Sequence, residues 1–217
     1  MAKRDRHAQR KTMSLMLVEG ETDEVFYGRV KNDHLRSIRC RVREVGGLFN
    51  INNKIVDAVF RYCDDHAQDS VRVYCCLDRE SRNGVIPGFD LKTVVGRIKE
   101  NGLQQVLSID VVRATQQIES WFFHDISSIY EHLQTPKSQR NLRRYCPPEK
   151  FGYKDLQRLF AQYGKTYNKG KRAASFIKKL DLPKILAQCD EFRMGVELIQ
   201  ARADDLTNYL AYSLQKR

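Results

Sequence analysis

Apolar positions along the chain change period several times, and the changes outline a fold. "SLMLV" (14–18) is a short unbroken apolar run stopped by Glu19 and Gly20, as expected of a strand buried on both faces. Helical spacing follows: Val25, Phe26 and Val30, after an acidic start at Asp23 and Glu24, predict a helix from Thr22 to about Lys31. "RCRVREV" (39–45) alternates as a second strand and ends at Gly46 and Gly47. Ile51, Ile55, Val56, Val59 and Phe60 then mark an amphipathic helix. "VRVYCCL" (71–77) and "VLSIDVV" (106–112) are two further strands, with a helix between them from about Asp90 to Glu100. The resulting order, β-α-β-α-β-α-β, predicts an α/β fold whose mainly parallel four-stranded sheet is flanked by helices.

Beyond the fourth strand the pattern turns helical. "QQIESWFFHD" and "ISSIYEHL" are two helical stretches with Asp125 as the cap between them. Residues 135–152, with Pro136, Pro147 and Pro148, are expected to form an ordered loop. Leu156, Leu159, Phe160 and Tyr163 share a face of a helix near 154–163. From about Glu191, Phe192, Val196, Ile199, Ala203, Leu206 and Leu210 form a stripe expected to pack on its own domain, a homodimer seam being the other use of such a stripe. The organisation expected is a basic arm (1–12), an α/β core (13–125) and a helical extension (126–217) that packs on the core and completes its site.

Composition narrows the class. A chain of 217 residues, 41% hydrophobic and 30% charged, has the make-up of an ordinary globular protein. No apolar run approaches the roughly 20 residues needed to span a bilayer, and no apolar segment follows the basic "MAKRDRHAQRK" to make a secretory signal. The six cysteines include no CxxC pair and are expected as buried free thiols, with Cys75 and Cys76 on opposite faces of a strand. A cytoplasmic protein with no membrane partner is the expectation. Its net charge of +11 favours a polyanionic partner, nucleic acid first. The charge is clustered beyond the arm as well: Arg36, Arg39, Arg41 and Arg43; then Arg143 and Arg144; then Lys171 and Arg172. Arg39, Arg41, Arg43 and the last two pairs are the expected phosphate contacts.

The acids lie where an α/β fold does its chemistry, beyond the carboxyl ends of the strands. Glu19 ends the first strand; Asp78 and Glu80 end the third, and their i, i+2 spacing turns both the same way. Asp23, in the first turn of the following helix, faces back towards Glu19. Carboxylates gathered this way repel one another, and a hard cation such as Mg²⁺ or Mn²⁺ removes the conflict. Glu119, in "IESWFF" beside the only tryptophan, is either a polar helix edge or part of the same group. The five histidines show no HxH or HExxH spacing, and His124 is expected to be structural.

"LVEGETDEVF" and "VYCCLDRE" resemble the opening and the second motif of a TOPRIM domain. The likeness is nearest to the TOPRIM nucleases of the OLD (overcoming lysogenization defect) type and their small defence-associated relatives. In that resemblance Glu19 and Asp23 match the opening glutamate and the aspartate four residues later. Glu119 matches a later glutamate and Lys169 in "TYNKGKR" a downstream lysine, with Lys165 and Lys171 nearby. Glu80 stands where aspartate is more usual, and Gln117 where a small hydroxyl residue can occur.

What the resemblance implies is two-metal hydrolysis of phosphodiester bonds in DNA or RNA, in bacterial anti-phage defence or nucleic-acid processing. One ion would be held by Glu19, Asp78 and Glu80, the second by Asp23, Glu119 and Glu80, with Glu19 and Lys169 the catalytic pair. "YGKTY" (163–167) ends like a Walker loop but has Leu159 where the first glycine belongs, so an ATPase would be a separate partner. Two alternatives stay open: a non-catalytic nucleic-acid-binding or assembly module, and an RNA-maturation nuclease.

Overall fold

The computed structural model describes residues 11–79 and 86–215, with side chains as far as residue 203. Glu80 and nearly all of the basic arm lie outside the described residues. Strands β1 (Thr12–Val18), β2 (Cys40–Glu44), β3 (Ser70–Asp78) and β4 (Val106–Ala114) form one sheet in the order β2-β1-β3-β4, and every pair is parallel. Helices α1 (Glu21–His34), α2 (Ile51–Asp65) and α3 (Leu91–Glu100) make the crossovers. This is the α/β architecture expected from the alternation of periods.

The apolar run of β1 is explained by its central place. Met16 and Val18, with Tyr74 and Cys76 of β3, face a core closed by Phe26 and Val30 of α1. Leu15 and Leu17, with Val73 and Cys75, face a second core closed by Ile51, Ile55 and Val59 of α2 and Val94 and Ile98 of α3. Cys75 and Cys76 therefore do point to opposite faces. Both faces are apolar because both are covered, the condition under which parallel sheets are stable.

The C-terminal region is built from α4 (Ile118–Phe122), α5 (Ile126–His132), α6 (Tyr153–Gln162), α7 (Ala174–Ile177), α8 (Leu182–Gln188) and α9 (Asp190–Gln215), connected in part by 3-10 turns. Its aromatic residues join the first core: the Phe26 ring lies 5.9, 5.4 and 5.4 Å from those of Trp121, Phe122 and Phe192. Phe192, Val196 and Ile199 of α9 are buried in that same core, so this part of the stripe is spent on its own domain. Gly195 lets α9 come down on β4; a Cβ there would sit 2.6 Å from Val112 Cγ1. Asp125 caps α5, and its buried carboxylate also accepts from the Asp181 amide and the Lys184 ammonium, each at 2.8 Å, fastening α8 to α5. Among the described residues no helix is long and apolar enough to cross a membrane.

Three details differ from the sequence expectation. Phe60 is 47% exposed rather than on the buried face of α2, because Ile51, Ile55, Val59 and Tyr62 already fill that face. Cys146, on a surface loop before Pro147, is exposed, whereas the other five thiols are buried as expected. Helices α7 and α8, of 4 and 7 residues, escaped the periodic pattern because neither spans enough turns to show one.

Candidate active site

The site begins with how β1 hands over to α1. Gly20 is the extended residue between them, and its amide donates to Asp23 Oδ2 at 3.2 Å. This one-way bond from the N-cap amide explains in local terms why an acid stands at the third helical position. It also turns the Asp23 carboxylate back over the end of β1, beside Glu19. Asp78 ends the neighbouring strand β3 and is buried, as is Asp23.

Glu119 arrives from the far side. The chain leaves β4, passes through Gln116 in the left-handed region (φ 63°) and starts α4, which carries Glu119 inward to 1% exposure. A non-glycine residue held in that region costs on the order of 1 kcal/mol, and such residues concentrate at functional sites. Glu119 Oε1 accepts from the Tyr167 hydroxyl at 3.2 Å and lies 3.5 Å from Lys169 Nζ. The same ammonium stands 4.4 Å from the centre of the Tyr153 ring, a cation–π contact that helps to hold it.

The loop bearing Lys169 is clamped onto α1. Its Gly170 amide donates to Thr22 Oγ1 at 2.7 Å. Gly170 has a φ of +76°, and a Cβ there would collide with the Glu21 carboxylate. The left-handed backbone is what favours glycine here, since the Glu21 side chain can swing aside.

Burial and mutual repulsion show in the acidities. The Asp23 carboxyl is pushed up to about 7, first by burial and then by the charges of Glu119 and Glu19. Asp78 is held well above the usual carboxylate range by burial, followed by Asp23, Glu119 and Glu19. Burial also raises Glu119, against the opposing pull of Lys169. Four carboxylates and one ammonium thus share one electrostatic site at the carboxyl ends of the two central strands.

Two buried oxygens there, Asp78 Oδ1 and Glu119 Oε2, have no hydrogen-bond partner. An all-oxygen donor set with unpartnered atoms fits a hard divalent cation by chemistry. Among the described residues, however, no three acidic, histidine or cysteine side chains are gathered closely enough to hold an ion as they stand.

The structure therefore brings together Glu19, Asp23, Asp78, Glu119 and Lys169. Of the three nearby lysines, Lys165 is turned away, donating to the His132 carbonyl at 2.8 Å. Lys171 is exposed and near enough to Glu44 for its charge to oppose the burial that raises the Glu44 pKa. Gln117 accepts from the Tyr153 amide at 3.4 Å and so ties α4 to α6. His124 is buried, 4.0 Å from Glu149 and outside the carboxylate group, in keeping with a structural part.

The expected phosphate contacts are spread more widely. Arg39, just before the edge strand β2, and Arg41 within it are exposed, and Arg43 is half-buried. Arg143 and Arg144 are exposed on the 3-10 turn Leu142–Tyr145, and Lys171 and Arg172 on the turn after Lys169.

Sequence reasoning missed Tyr153, Tyr167, Thr22 and Gly170. Tyr167 was within reach, since it precedes Lys169 by two residues in an extended segment and such residues share a side. The others act across long separations and leave no local signal.

The model of a family described as a domain of unknown function, DUF4276, matches residues 18–197, a span that contains every residue of this site. The chain belongs to that family. No curated protein and no solved structure matches it.

Proposed function

We propose that this DUF4276 chain is a metal-dependent nuclease of TOPRIM type, hydrolysing phosphodiester bonds in DNA or RNA. One observation carries the reading. Glu19, Asp23, Asp78 and Glu119, from two strand ends and two helices, are forced into a single field of mutual repulsion beside Lys169. A protein does not gather like charges in a buried place for stability; such groupings mark functional sites. On a chain of net charge +11, the matching substrate is a phosphate polyanion.

Glu19, Asp23, Asp78 and Glu119 would hold Mg²⁺ or Mn²⁺, two ions in the TOPRIM scheme. Bound there, the cations would supply an activated water and neutralise phosphate charge. The chain's own groups have separable tasks. Lys169 presents a positive charge at the mouth of the site, where negative charge grows on the phosphate during attack. Tyr167 fixes Glu119 by its hydroxyl and Tyr153 fixes Lys169 by its ring, so that neither must reorganise during the reaction. The exposed arginines and lysines hold flanking phosphates. An anti-phage or processing role, a separate ATPase partner and a homodimer belong to the same proposal.

A second reading, a non-catalytic nucleic-acid-binding module, is favoured by the absence, among the described residues, of three ligands already close enough to hold an ion. A cleavage assay separates the two. Plasmid DNA, single-stranded DNA and total tRNA are offered with Mg²⁺, Mn²⁺ or chelator to wild type, Glu19→Ala and Asp78→Ala. Cutting that requires metal and vanishes in both variants is the expected result. Binding without cutting by all three proteins would favour the module.

A further inference from the structure

The turn between β2 and α2, "VGGLFN", has no part in the carboxylate site yet is built against it. Its Val45 amide donates to the Val18 carbonyl at 2.9 Å and its Gly47 amide to the Glu19 carbonyl at 2.8 Å. Lys54, from the first turn of α2, donates its ammonium to the carbonyls of both Gly46 and Gly47. Gly46, Gly47 and Asn50 are all in the left-handed region, with φ of 80°, 78° and 54°. Three such residues among five make a path that an ordinary turn does not need. Leu48 packs against the second core and Ile51 is fully buried. Between these two anchors Phe49 is turned out to solvent, 81% exposed, more than Phe60, Leu107, Leu142 or Met194.

We infer that Phe49 is a stacking platform for an unpaired nucleobase, and that the substrate is single-stranded, or frayed, where it crosses the site. The inference rests on the nuclease reading for the scissile phosphate but names a separate contact. An aromatic face two residues from the backbone tether to Glu19 offers a base the surface it seeks when it is not paired. Stacking of this kind is tolerant of sequence and unavailable to a base inside a duplex. Charge supports the same ligand: Arg43 lies just before the turn, and Lys171 stands near Glu44 at the end of β2. A protein partner would need to cover about 800 Å² of this face, with a cluster of apolar side chains at its centre. Among the described residues, the other exposed large apolar side chains lie on other elements, on α2, β4, α9 and the 3-10 turn that bears Leu142.

The test measures binding in chelator, so that cleavage does not interfere. Wild type, Phe49→Ala, Phe49→Leu and Phe49→Trp are titrated with labelled oligothymidylate and with a duplex of equal length. Phe49→Ala and Phe49→Leu should weaken single-strand binding roughly 10-fold and leave the duplex nearly unchanged, while Phe49→Trp keeps wild-type affinity. The oligonucleotide should also quench the new indole, which is distinguishable because Trp121, the only native tryptophan, is buried. Equal single-strand affinity in all four proteins, equal weakening on duplex, or no binding by wild type would overturn the inference. Quenching without cleavage of any substrate would remove the nuclease and leave the platform. Cleavage with no effect of Phe49 would do the reverse.

Discussion

Asp78 shows what the site demands of single residues. It ends the most buried strand, it is itself buried, and three other carboxylates raise its pKa. An acid raised in this way keeps its proton in the folded protein over a pH range where the unfolded chain has lost it. The folded state then binds more protons, and stability falls as pH rises through that range. For Asp23 the range runs from 3.8 to about 7, and for Asp78 it extends upward from 3.8. Asp78→Asn should therefore stabilise the ion-free protein, by an amount that grows from about pH 4 upward. At pH 8 in chelator its Tm should exceed that of wild type by about 2–4 °C, the equivalent of roughly 1 kcal/mol. Mg²⁺ should narrow the gap by stabilising wild type alone. Scanning calorimetry at several pH values checks this, and a lower Tm for the variant would contradict it. Glu19, Asp23 and Asp78 could be placed from the chain alone, because each sits at a strand end or in a first helical turn. Whether Glu119 belonged with them could not, since "IESWFF" has the same pattern as a plain helix edge.

At the scale of elements, the site depends on short pieces holding one another. The Lys169 loop touches α1 through Gly170 and Thr22, and α6 through Tyr153. Gly170→Ala would add a Cβ where the Glu21 carboxylate lies, on a backbone that disfavours any side chain. It should cost about 1–2 kcal/mol in thermal unfolding. The Glu21 side chain can swing aside, but strain at the left-handed φ should shift the loop that carries Lys169, so cleavage should fall further than stability does, on the order of 10-fold or more. Full turnover with an unchanged melt would show that the loop needs no glycine. Long elements such as β1, β3 and α2 announced themselves by period, and α7 and α8 did not, for lack of turns in which to repeat.

For the molecule as a whole, charge and topology act together. Parallel pairing places the ends of β1 and β3 side by side, so acids 59 residues apart in Glu19 and Asp78 share one edge of the sheet. The basic side chains are spread over the molecule: Arg39 and Arg41 lie towards the amino end of the sheet, Arg43 nearer the carboxyl end of β2, and Arg143, Arg144, Lys171 and Arg172 on turns of the C-terminal region. Nucleic-acid affinity should accordingly fall steeply with salt. About five phosphate contacts would give a log–log slope near −3.5 on single strands. Replacing Arg41 by alanine should reduce that slope by about 0.7, without changing the stability of the fold. Anisotropy titrations across a salt series measure both, and a flat salt response would remove the polyanion from the proposal.

Period, the alternation of strands and helices, and the acids at strand ends were set by local chemistry, and a single chain displays them: apolar runs must be buried, and glycines and caps must close them. The selection of Lys169 over Lys165 and Lys171 was decided elsewhere. So were the inward turn of Glu119, the two tyrosines beside it and the outward turn of Phe49. Each depends on groups far apart in the chain, as when the Gly170 amide meets Thr22 across 148 residues. Contacts of that range arise from packing the finished elements together, and the spacing of residues within one element carries no trace of them.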